Sequence, residues 1–304
     1  MKKIVSLILA SLLIFSVSVF AAEFKDMPND WSTPALEAAV KNGLLTGANG
    51  YIKASDKMTR AEMATIMVRA SGATEEADIS AYKDVKKDDW FYSSMAKAVK
   101  MGAFQGADGK LNPQNPITRQ EAFLVLTRVF GLDKNLASKG DSLSAFKDAG
   151  KVADWAKTGV GAIVQRGYVA GSDGYINPLN NISRAEFATV MDRLVKYYID
   201  DPEAEIPTDG NVMIRCKREK ISGLKTSNMV ILGDAVGDAT VDFVESEISG
   251  KVAVRGGKLV NFDSTEGYTD ISILSPGIKG SAYIPNIDSM KIYLCKDSVF
   301  APRF

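Results

Sequence analysis

The chain has 304 residues, 46% hydrophobic and 24% charged, which is the composition of a globular protein with room for about two domains. Basic and acidic residues each number 37, so the formal net charge is zero and gives no global attraction to nucleic acid or to an acidic membrane. The sequence has no histidine, which excludes histidine-based triads, histidine metal ligands and the usual proton shuttle near neutral pH. We therefore expect no cofactor, no metal site and no nucleic-acid partner.

The first 22 residues have the pattern of an export signal. Two lysines precede an uncharged run from Ile4 to Phe20, and two alanines follow it. This pattern predicts a signal peptide over residues 1–22, and a retained N-terminal anchor is the alternative. No later stretch is long and apolar enough to span a membrane. We expect an exported protein with no integral membrane span after signal cleavage.

One segment occurs three times, starting near Phe24, Tyr82 and Phe146. In each copy a tryptophan, three glycines and an arginine recur with spacings of 12, 4, 3 and 10 residues. The repeated residues are Trp31, Gly43, Gly47, Gly50 and Arg60; Trp90, Gly102, Gly106, Gly109 and Arg119; and Trp155, Gly167, Gly171, Gly174 and Arg184. We assign the repeats to residues 23–80, 81–144 and 145–199. Since one such unit is too small to bury its apolar face, the three should pack into one body.

Within each copy the apolar spacing predicts two helices joined by a glycine-rich turn. The first repeated glycine is expected to end the first helix in the left-handed conformation. The second helix begins at Thr59, Thr118 or Ser183, each followed three residues later by a glutamate. That spacing is typical of a capping box. The repeats therefore predict an all-α body of six helices.

The repeated tryptophans and aspartates have two interpretations each. A large aromatic at the start of a helix usually packs, so we predict that Trp31, Trp90 and Trp155 are core residues, with ligand stacking as the alternative. Asp26, Asp84 and Asp148 are candidate partners that orient the repeated arginines.

The repeated arginines lie where helix electrostatics disfavour a cation. Arg60, Arg119 and Arg184 occupy the first helical residue, next to the positive end of the helix dipole. Free N–H groups beside a guanidinium form a good receptor for a carboxylate or phosphate, and this predicts an anion site. The alternative is a structural salt bridge to the repeated aspartates or to a glutamate of a neighbouring copy. The two can coexist.

These motifs resemble S-layer homology (SLH) repeats. The resemblance lies in Phe-Lys-Asp at 24–26, Thr-Arg-Ala-Glu at 59–62, Thr-Arg-Gln-Glu at 118–121 and Ser-Arg-Ala-Glu at 183–186, and it covers residues 23–198. It implies a pseudo-threefold helical body whose grooves bind secondary cell-wall polysaccharide, commonly through a pyruvate-ketal carboxylate. It also implies that the arginine of each motif contacts ligand, and the capping residues and repeated aspartates and tryptophans are further candidate site residues. The first copy departs from the others, with Ala54 where they have Pro113 and Pro178.

The C-terminal third differs in composition from the repeats. An acidic, proline-bearing stretch over residues 200–210 is typical of a linker. From residue 211 to 304, short alternating runs punctuated by glycines predict a small all-β domain. The segments 237–242 and 248–257 resemble β-helix-like modules found beside SLH repeats, and a small sandwich is the alternative.

Two cysteines, Cys216 and Cys295, lie in this β region. In an exported domain they are candidates for a disulfide, which needs Cα atoms within about 7 Å. A solenoid with rungs of ~20 residues would place them some 19 Å apart, so a straight solenoid and this disulfide conflict. We favour the disulfide, with two buried free thiols as the alternative.

The sequence predicts a noncatalytic cell-surface protein held on the cell wall. The expected partner is an acidic, pyruvylated secondary cell-wall polysaccharide or another peptidoglycan-linked glycan, and self-association is a further possibility. Two alternatives are a structural subunit of an S-layer or envelope and a wall-anchored enzyme that acts on acidic polysaccharides. Against the enzyme, the β region shows no cluster of carboxylates with a basic partner.

Overall fold

The computed structural model describes residues 24–134, 142–267, 270–283 and 290–303. The predicted signal peptide over residues 1–22 lies outside this part of the chain. The described residues form a helical body followed by a parallel β-solenoid, which confirms the order of a helical and then a β region.

The helical body contains two helices from each repeat. The first helix of each repeat packs against the second helix of the preceding one, so that α1 meets α6, α3 meets α2 and α5 meets α4. These contacts close the three repeats into a ring. The helices are α1 (Thr33–Lys41), α2 (Arg60–Ser71), α3 (Tyr92–Lys100), α4 (Arg119–Phe130), α5 (Asp154–Gln165) and α6 (Arg184–Leu194), with a short 3-10 turn at Ala149–Lys151.

The predicted signals for helix boundaries are confirmed. Thr59, Thr118 and Ser183 have extended backbones, and each forms a capping box with the glutamate three residues later. The first repeated glycine follows the first helix in every copy, with φ values of 69°, 71° and 77°. A side chain is disfavoured in that left-handed conformation, which explains why the residue is glycine.

The centre of the helical body is extended rather than helical, so the body is not wholly α. The backbone N–H of Ile117 donates to the oxygen of Met58, that of Ile182 to Ile117, and that of Met58 to Ile182, at 2.9, 3.1 and 3.0 Å. All three side chains are fully buried. This cyclic set of hydrogen bonds joins the three repeats around the pseudo-threefold axis, just before each second helix begins.

The C-terminal region is a β-solenoid, as the β-helix-like interpretation predicted, and not a sandwich. Every strand pair within its two sheets is parallel, and Lys279 pairs with Leu259 and with Val299, each 20 residues away. One sheet has the order β1-β2-β5-β7-β9-β11, and the other has the order β12-β10-β8-β6-β3 with β4 also on β6. The strands are β1 (Tyr197–Ile199), β2 (Val212–Ile214), β3 (Lys220–Ser222), β4 (Lys225–Thr226), β5 (Val230–Leu232), β6 (Thr240–Ile248), β7 (Lys251–Val254), β8 (Leu259–Glu266), β9 (Asp270–Ile273), β10 (Lys279–Tyr283), β11 (Ile292–Leu294) and β12 (Val299–Arg303).

The sheet that begins with β1 is covered on both faces. Met213, Ile231 and Ala253 are register partners on β2, β5 and β7, and their side chains belong to the core of the helical body. Their neighbours along each strand point the other way, into the core of the solenoid. The solenoid is therefore docked on the helical body through a continuous apolar contact.

The contact lies at the C-terminal ends of the second helices. Gly72 ends α2 and Gly131 ends α4, both with positive φ. A Cβ atom on Gly72 would lie 2.5 Å from the Cβ of Ala235, and one on Gly131 would lie 2.7 Å from Leu274. Glycine is needed at these two helix ends for backbone conformation and because the solenoid approaches so closely.

The structure gives the expected linker a different position. Strand β1 starts at Tyr197, soon after α6 ends at Leu194, and it pairs with β2. Residues 200–210 connect these two strands of one sheet instead of joining two separate bodies. The acidic, proline-bearing composition fits both a linker between two domains and a loop between two strands. The pairing of β1 with β2 shows that the segment is a loop.

The expected disulfide is wrong. Cys216 and Cys295 are free thiols, both partly exposed. Cys216 follows β2 and Cys295 follows β11, and three strands of the same sheet lie between those two. Since neighbouring strands are about 4.8 Å apart, the solenoid places the two thiols far beyond disulfide range.

Candidate ligand-binding grooves

The three repeated arginines join each repeat to the next, and we call them the arginine ring. The Nε of Arg60 donates to the backbone oxygen of Leu111, and its Nη1 pairs with Glu121 at 3.1 Å. Arg119 binds the oxygen of Ile176 and Glu186 in the same way, and Arg184 binds the oxygen of Ile52 and Glu62. Their side chains are 13%, 12% and 11% exposed. The alternative of a salt bridge to a glutamate of a neighbouring copy is therefore observed.

The repeated aspartates act on this ring through the backbone. Asp84 accepts hydrogen bonds from the N–H groups of Leu111 and Asn112, at 2.9 and 2.7 Å. The oxygen of Leu111 is the acceptor for Arg60, so Asp84 fixes the segment that receives the arginine. Asp26 and Asp148 hold the equivalent segments at residues 52–53 and 176–177.

The expectation of free N–H groups at the second helices is wrong. The N–H of Arg60 donates to the oxygen of Asn115, and that of Ala61 donates to Pro113, both in the next repeat. The Thr59 hydroxyl accepts from the N–H of Glu62. Carbonyls and hydroxyls take the same donors at α4 and α6. These backbone donors are therefore not available to an anion.

Burial and pairing act in opposite directions on the pKa values of Arg60, Arg119 and Glu186. Burial lowers the pKa of Arg60 and Arg119, while the charges of Glu121 and Glu186 oppose that shift. Burial alone would raise the pKa of Glu186, but hydrogen bonds from Ser183 and the charge of Arg119 outweigh it, so that pKa is lowered. Arg119 and Glu186 thus each favour the charged form of the other.

The prediction that the repeated tryptophans are core residues is wrong. Trp31, Trp90 and Trp155 are 64%, 68% and 57% exposed. In the described chain, Trp90 and Trp155 each line a groove that also contains a ring arginine. Their exposure excludes the core interpretation, and the alternative of ligand stacking stays a prediction.

Each groove combines residues from three repeats. Groove 1 encloses about 370 Å³ within repeat 1, and it is bordered by Arg184 of repeat 3 and Trp90 of repeat 2. Groove 2 encloses about 550 Å³ within repeat 2, and it is bordered by Arg60 of repeat 1 and Trp155 of repeat 3. In both grooves the arginine comes from the preceding repeat and the tryptophan from the following one. By the same pattern, Arg119 and Trp31 are the counterparts at the third repeat. Arg60 and Arg184 therefore each lie at the edge of a groove in another repeat, and a role in binding stays a prediction.

A second repeated arginine was missed in the sequence. Arg69 lies in groove 1 and Arg128 in groove 2, and Arg193 is their counterpart in repeat 3. Each follows a ring arginine by 9 residues, so the repeat alignment could have revealed it. Arg128 donates to the side-chain oxygen of Gln105 at 3.4 Å.

A cavity of about 620 Å³ lies between the helical body and the solenoid, where Arg255 is a lining residue. This arginine pairs with Asp234 and donates to the oxygens of Val129 and Met101, so its hydrogen-bonding capacity is used within the protein. Within the described ranges, no group of three or more acidic or cysteine residues could hold a metal ion.

The fold of the helical body is a closed ring of three two-helix repeats, with two described grooves that are each lined by residues of all three. The S-layer homology domain family matches residues 23–64, 81–123 and 145–188. The chain is a protein with three S-layer homology domains, as the motifs predicted.

Comparison with known proteins identifies surface proteins and an enzyme. The chain is 33% identical over 193 residues to the surface-layer 125 kDa protein of Lysinibacillus sphaericus, covering 61% of this chain and 16% of that protein. It is 31% identical over 169 residues to the surface layer protein of Brevibacillus choshinensis, covering 48% and 15%. It is 25% identical over 170 residues to the exoglucanase XynX of Acetivibrio thermocellus, covering 55% and 16%. The chain thus matches a small part of each relative.

These findings set the location of the protein and leave its chemistry to be tested. The S-layer homology domains and the surface-layer relatives indicate a cell-surface or wall-associated protein. In the part of the chain that the structure describes, none of the helices is long and apolar enough to cross a membrane. Since the relatives include an exoglucanase, the expectation of a noncatalytic protein stays a prediction.

Proposed function

We propose that the protein is a noncatalytic surface protein that anchors to the cell wall by binding an acidic secondary cell-wall polysaccharide in its grooves. The observation that carries this proposal is the exposure of all three repeated tryptophans, two of them beside described grooves with a ring arginine. An exposed indole at a repeated position contributes little to folding and offers a flat face to a sugar ring.

The chemistry of the grooves suits a sugar with a carboxylate substituent, such as a pyruvate ketal. Nε and Nη1 of each ring arginine are bound to the next repeat. Among the described residues, Nη2 of Arg119 and Arg184 has no hydrogen bond, and that of Arg60 has one of 3.4 Å. A guanidinium edge of this kind can donate to a carboxylate while the rest of the side chain keeps the ring closed.

The tryptophans provide the test, because their removal should leave the fold intact. We expect the triple change of Trp31, Trp90 and Trp155 to alanine to reduce retention of the chain by host wall sacculi at least about tenfold. Aromatic face contacts are worth roughly 0.5–1.5 kcal/mol each, and three of them suffice for that loss. The measurement is a sacculus pull-down of the chain from residue 23 to 304, with the melting temperature recorded in parallel.

Leu179→Ala is the matched control, because Leu179 is 57% exposed on the helical body and lines neither described groove. Its retention should equal that of the unaltered chain. Sacculi stripped of their attached polysaccharide should retain neither variant. Equal retention of the triple variant and the control would remove the groove proposal.

A structural subunit of a surface layer is the second candidate, because two matched relatives are surface-layer proteins. Assembly of the purified chain into sheets without wall material would favour it. Turnover of acidic wall glycans by the full chain would instead favour the wall-anchored enzyme.

A further inference from the structure

A buried polar cluster lies where the solenoid meets the helical body. Lys251 on β7 and Asp270 on β9 are register partners on neighbouring strands, and their side chains are 4% and 12% exposed. Nζ of Lys251 lies 2.9 and 3.0 Å from the two carboxylate oxygens of Asp270 and 2.6 Å from Oγ of the fully buried Ser272. An amine, a carboxyl group and a hydroxyl group are therefore packed together with little access to solvent.

The cluster is enclosed by both bodies. Ala253 follows Lys251 by two residues, and its side chain belongs to the core of the helical body. Because alternate side chains of a strand share a face, Lys251 and Asp270 also face the helical body. Arg166, which follows α5, approaches from that side and places Nη2 3.4 Å from Oδ2 of Asp270.

Burial makes the neutral amine of Lys251 more available. It lowers the pKa of Lys251 from 10.5 to about 8, against the opposing charge of Asp270. The charge of Arg166 lowers this pKa further, and that of Asp133 raises it. A larger fraction of this lysine than of an exposed one is therefore in the nucleophilic, uncharged form.

The neighbouring side chains supply the other groups that amide formation needs. The Ser272 hydroxyl accepts from Nζ of Lys251 and donates to Oδ1 of Asp270 at 3.2 Å, which is a path for a proton from the nitrogen to that oxygen. Arg166 donates to Oδ2, where negative charge develops when the carboxyl carbon is attacked. Because Nζ contacts both oxygens, the carbon between them is ~3–3.5 Å away, the separation of a near-attack arrangement.

We infer that Lys251 and Asp270 form an intramolecular amide bond that joins neighbouring strands of the solenoid. Nζ attacks Cγ of Asp270, a C–N bond forms, the bond from Cγ to Oδ1 breaks, and Oδ1 leaves as water with two protons of the lysine ammonium group. One ammonium and one carboxylate become one amide and one water, so no oxidant or other reactant is consumed.

The cross-link goes beyond wall binding, since it concerns the solenoid and not the grooves. It closes a loop between two strands and so restricts the unfolded chain, as a disulfide does. Cys216 and Cys295 are free thiols and do not provide such a link. The amide bond is also not cleaved by reducing agents, unlike a disulfide.

The mass of the chain provides the test. The chain from residue 23 to 304, folded and with its thiols reduced, should weigh about 18 Da less than its sequence requires, because one water is lost. Tandem mass spectrometry should identify one branched peptide that joins Lys251 to Asp270. Lys220 and Asp242 are the internal control, because they are also register partners, but Lys220 is exposed and Asp242 accepts from Asn261. They should be recovered unlinked.

Two further controls separate the amide from other losses of water. Chain kept in urea from the start should have its full mass, because the unfolded chain does not hold the reacting groups together. A succinimide at Asp108-Gly109 or Asp173-Gly174 also loses one water, but hydroxylamine cleaves it and leaves the amide intact.

Variants of the cluster test each role. Lys251→Arg should retain its full mass, whereas Lys279→Arg, a change of an exposed lysine in the same solenoid, should lose water as the unaltered chain does. Asp270→Asn should form the same amide with release of ammonia, so its product has the mass of the unaltered product. Ser272→Ala keeps both reacting groups and should form the bond at least about tenfold more slowly after refolding from urea, because the proton path is lost.

The outcomes remain decisive if Lys251→Arg does not fold, because Asp270→Asn and Ser272→Ala keep the lysine. Full sequence mass in the folded, unaltered chain would overturn the cross-link, and so would a water loss that persists in Lys251→Arg. An unchanged rate in Ser272→Ala would overturn the proton path.

Discussion

Replacing Arg255 with alanine is expected to lower the free energy of unfolding by about 3–5 kcal/mol, because it removes one partner of a buried ion pair. The Arg255 side chain is 1% exposed, and its Nε lies 2.7 Å from a carboxylate oxygen of Asp234. It also donates to the backbone oxygens of Val129 and Met101 in the helical body. The change would leave a charge and two carbonyls without these partners at the junction of the two bodies.

The lower stability of the Arg255→Ala variant can be measured by two experiments. Urea unfolding followed by circular dichroism gives the free energy, and hydrogen exchange at the amides of α4 and β7 reports each body separately. Both sets of amides should lose protection together, because the two bodies share one apolar contact. Lys217→Ala is the control, since its pair with Asp238 is exposed and 4.0 Å long, and it should cost less than about 0.5 kcal/mol. Wild-type protection of α4 in the Arg255 variant would refute this coupling.

The solenoid and the arginine ring lie at opposite ends of the second helices. The arginine ring lies at the N-terminal ends of α2, α4 and α6, and the solenoid lies at their C-terminal ends. Helices of 11 and 12 residues separate the two by about 17 Å, at 1.5 Å per residue. A glycan bound near the ring is therefore on the opposite side of the helical body from the solenoid.

Local signals made much of the fold predictable. Each capping box, at Thr59, Thr118 or Ser183, involves two residues that are three positions apart in the sequence. Each turn glycine is required by the positive φ of its own position. Both features can therefore be recognised from the sequence of a single repeat. The run Met229-Val-Ile-Leu232 is apolar on both faces, which is the pattern of a strand covered on both sides. The sequence analysis took the region for a separate β domain and did not predict that this strand is covered on both sides.

The sequence predicted that the three repeats pack together, but it did not identify which residue of which repeat each arginine contacts. The contact of Arg184 with Glu62 joins residues 122 positions apart, and nothing in either repeat specifies the other as its partner. The acceptors for the first N–H groups of each second helix likewise come from a neighbouring repeat. An isolated repeat therefore leaves those donors free, and this is why helix electrostatics suggested an anion at a position that backbone carbonyls occupy.

The second large loss of stability is expected from a change in the arginine ring, because its residues hold neighbouring repeats together as well as being candidate ligand contacts. We expect Arg119→Ala to lower the free energy of unfolding by about 2–3 kcal/mol, because it leaves the oxygen of Ile176 and one oxygen of Glu186 without their donors. Lys157→Ala, in an exposed pair with Asp154, should cost less than about 0.5 kcal/mol in the same urea titration. For this reason a triple arginine variant cannot separate ligand contact from folding, and the exposed tryptophans can.

The same ring predicts an acid-side loss of stability with a definite sign. The pKa of Glu186 in the folded protein is lower than its ordinary value of 4.5. Its contribution is therefore complete above the unfolded pKa and disappears as the pH falls through the folded pKa. Without Arg119 the folded pKa moves back towards that of the unfolded chain, so the Arg119→Ala variant should lose less stability than the unaltered protein between about pH 6 and pH 3. Parallel pH profiles of unfolding free energy for the two proteins would show that Arg119 does not contribute to the lowered pKa of Glu186.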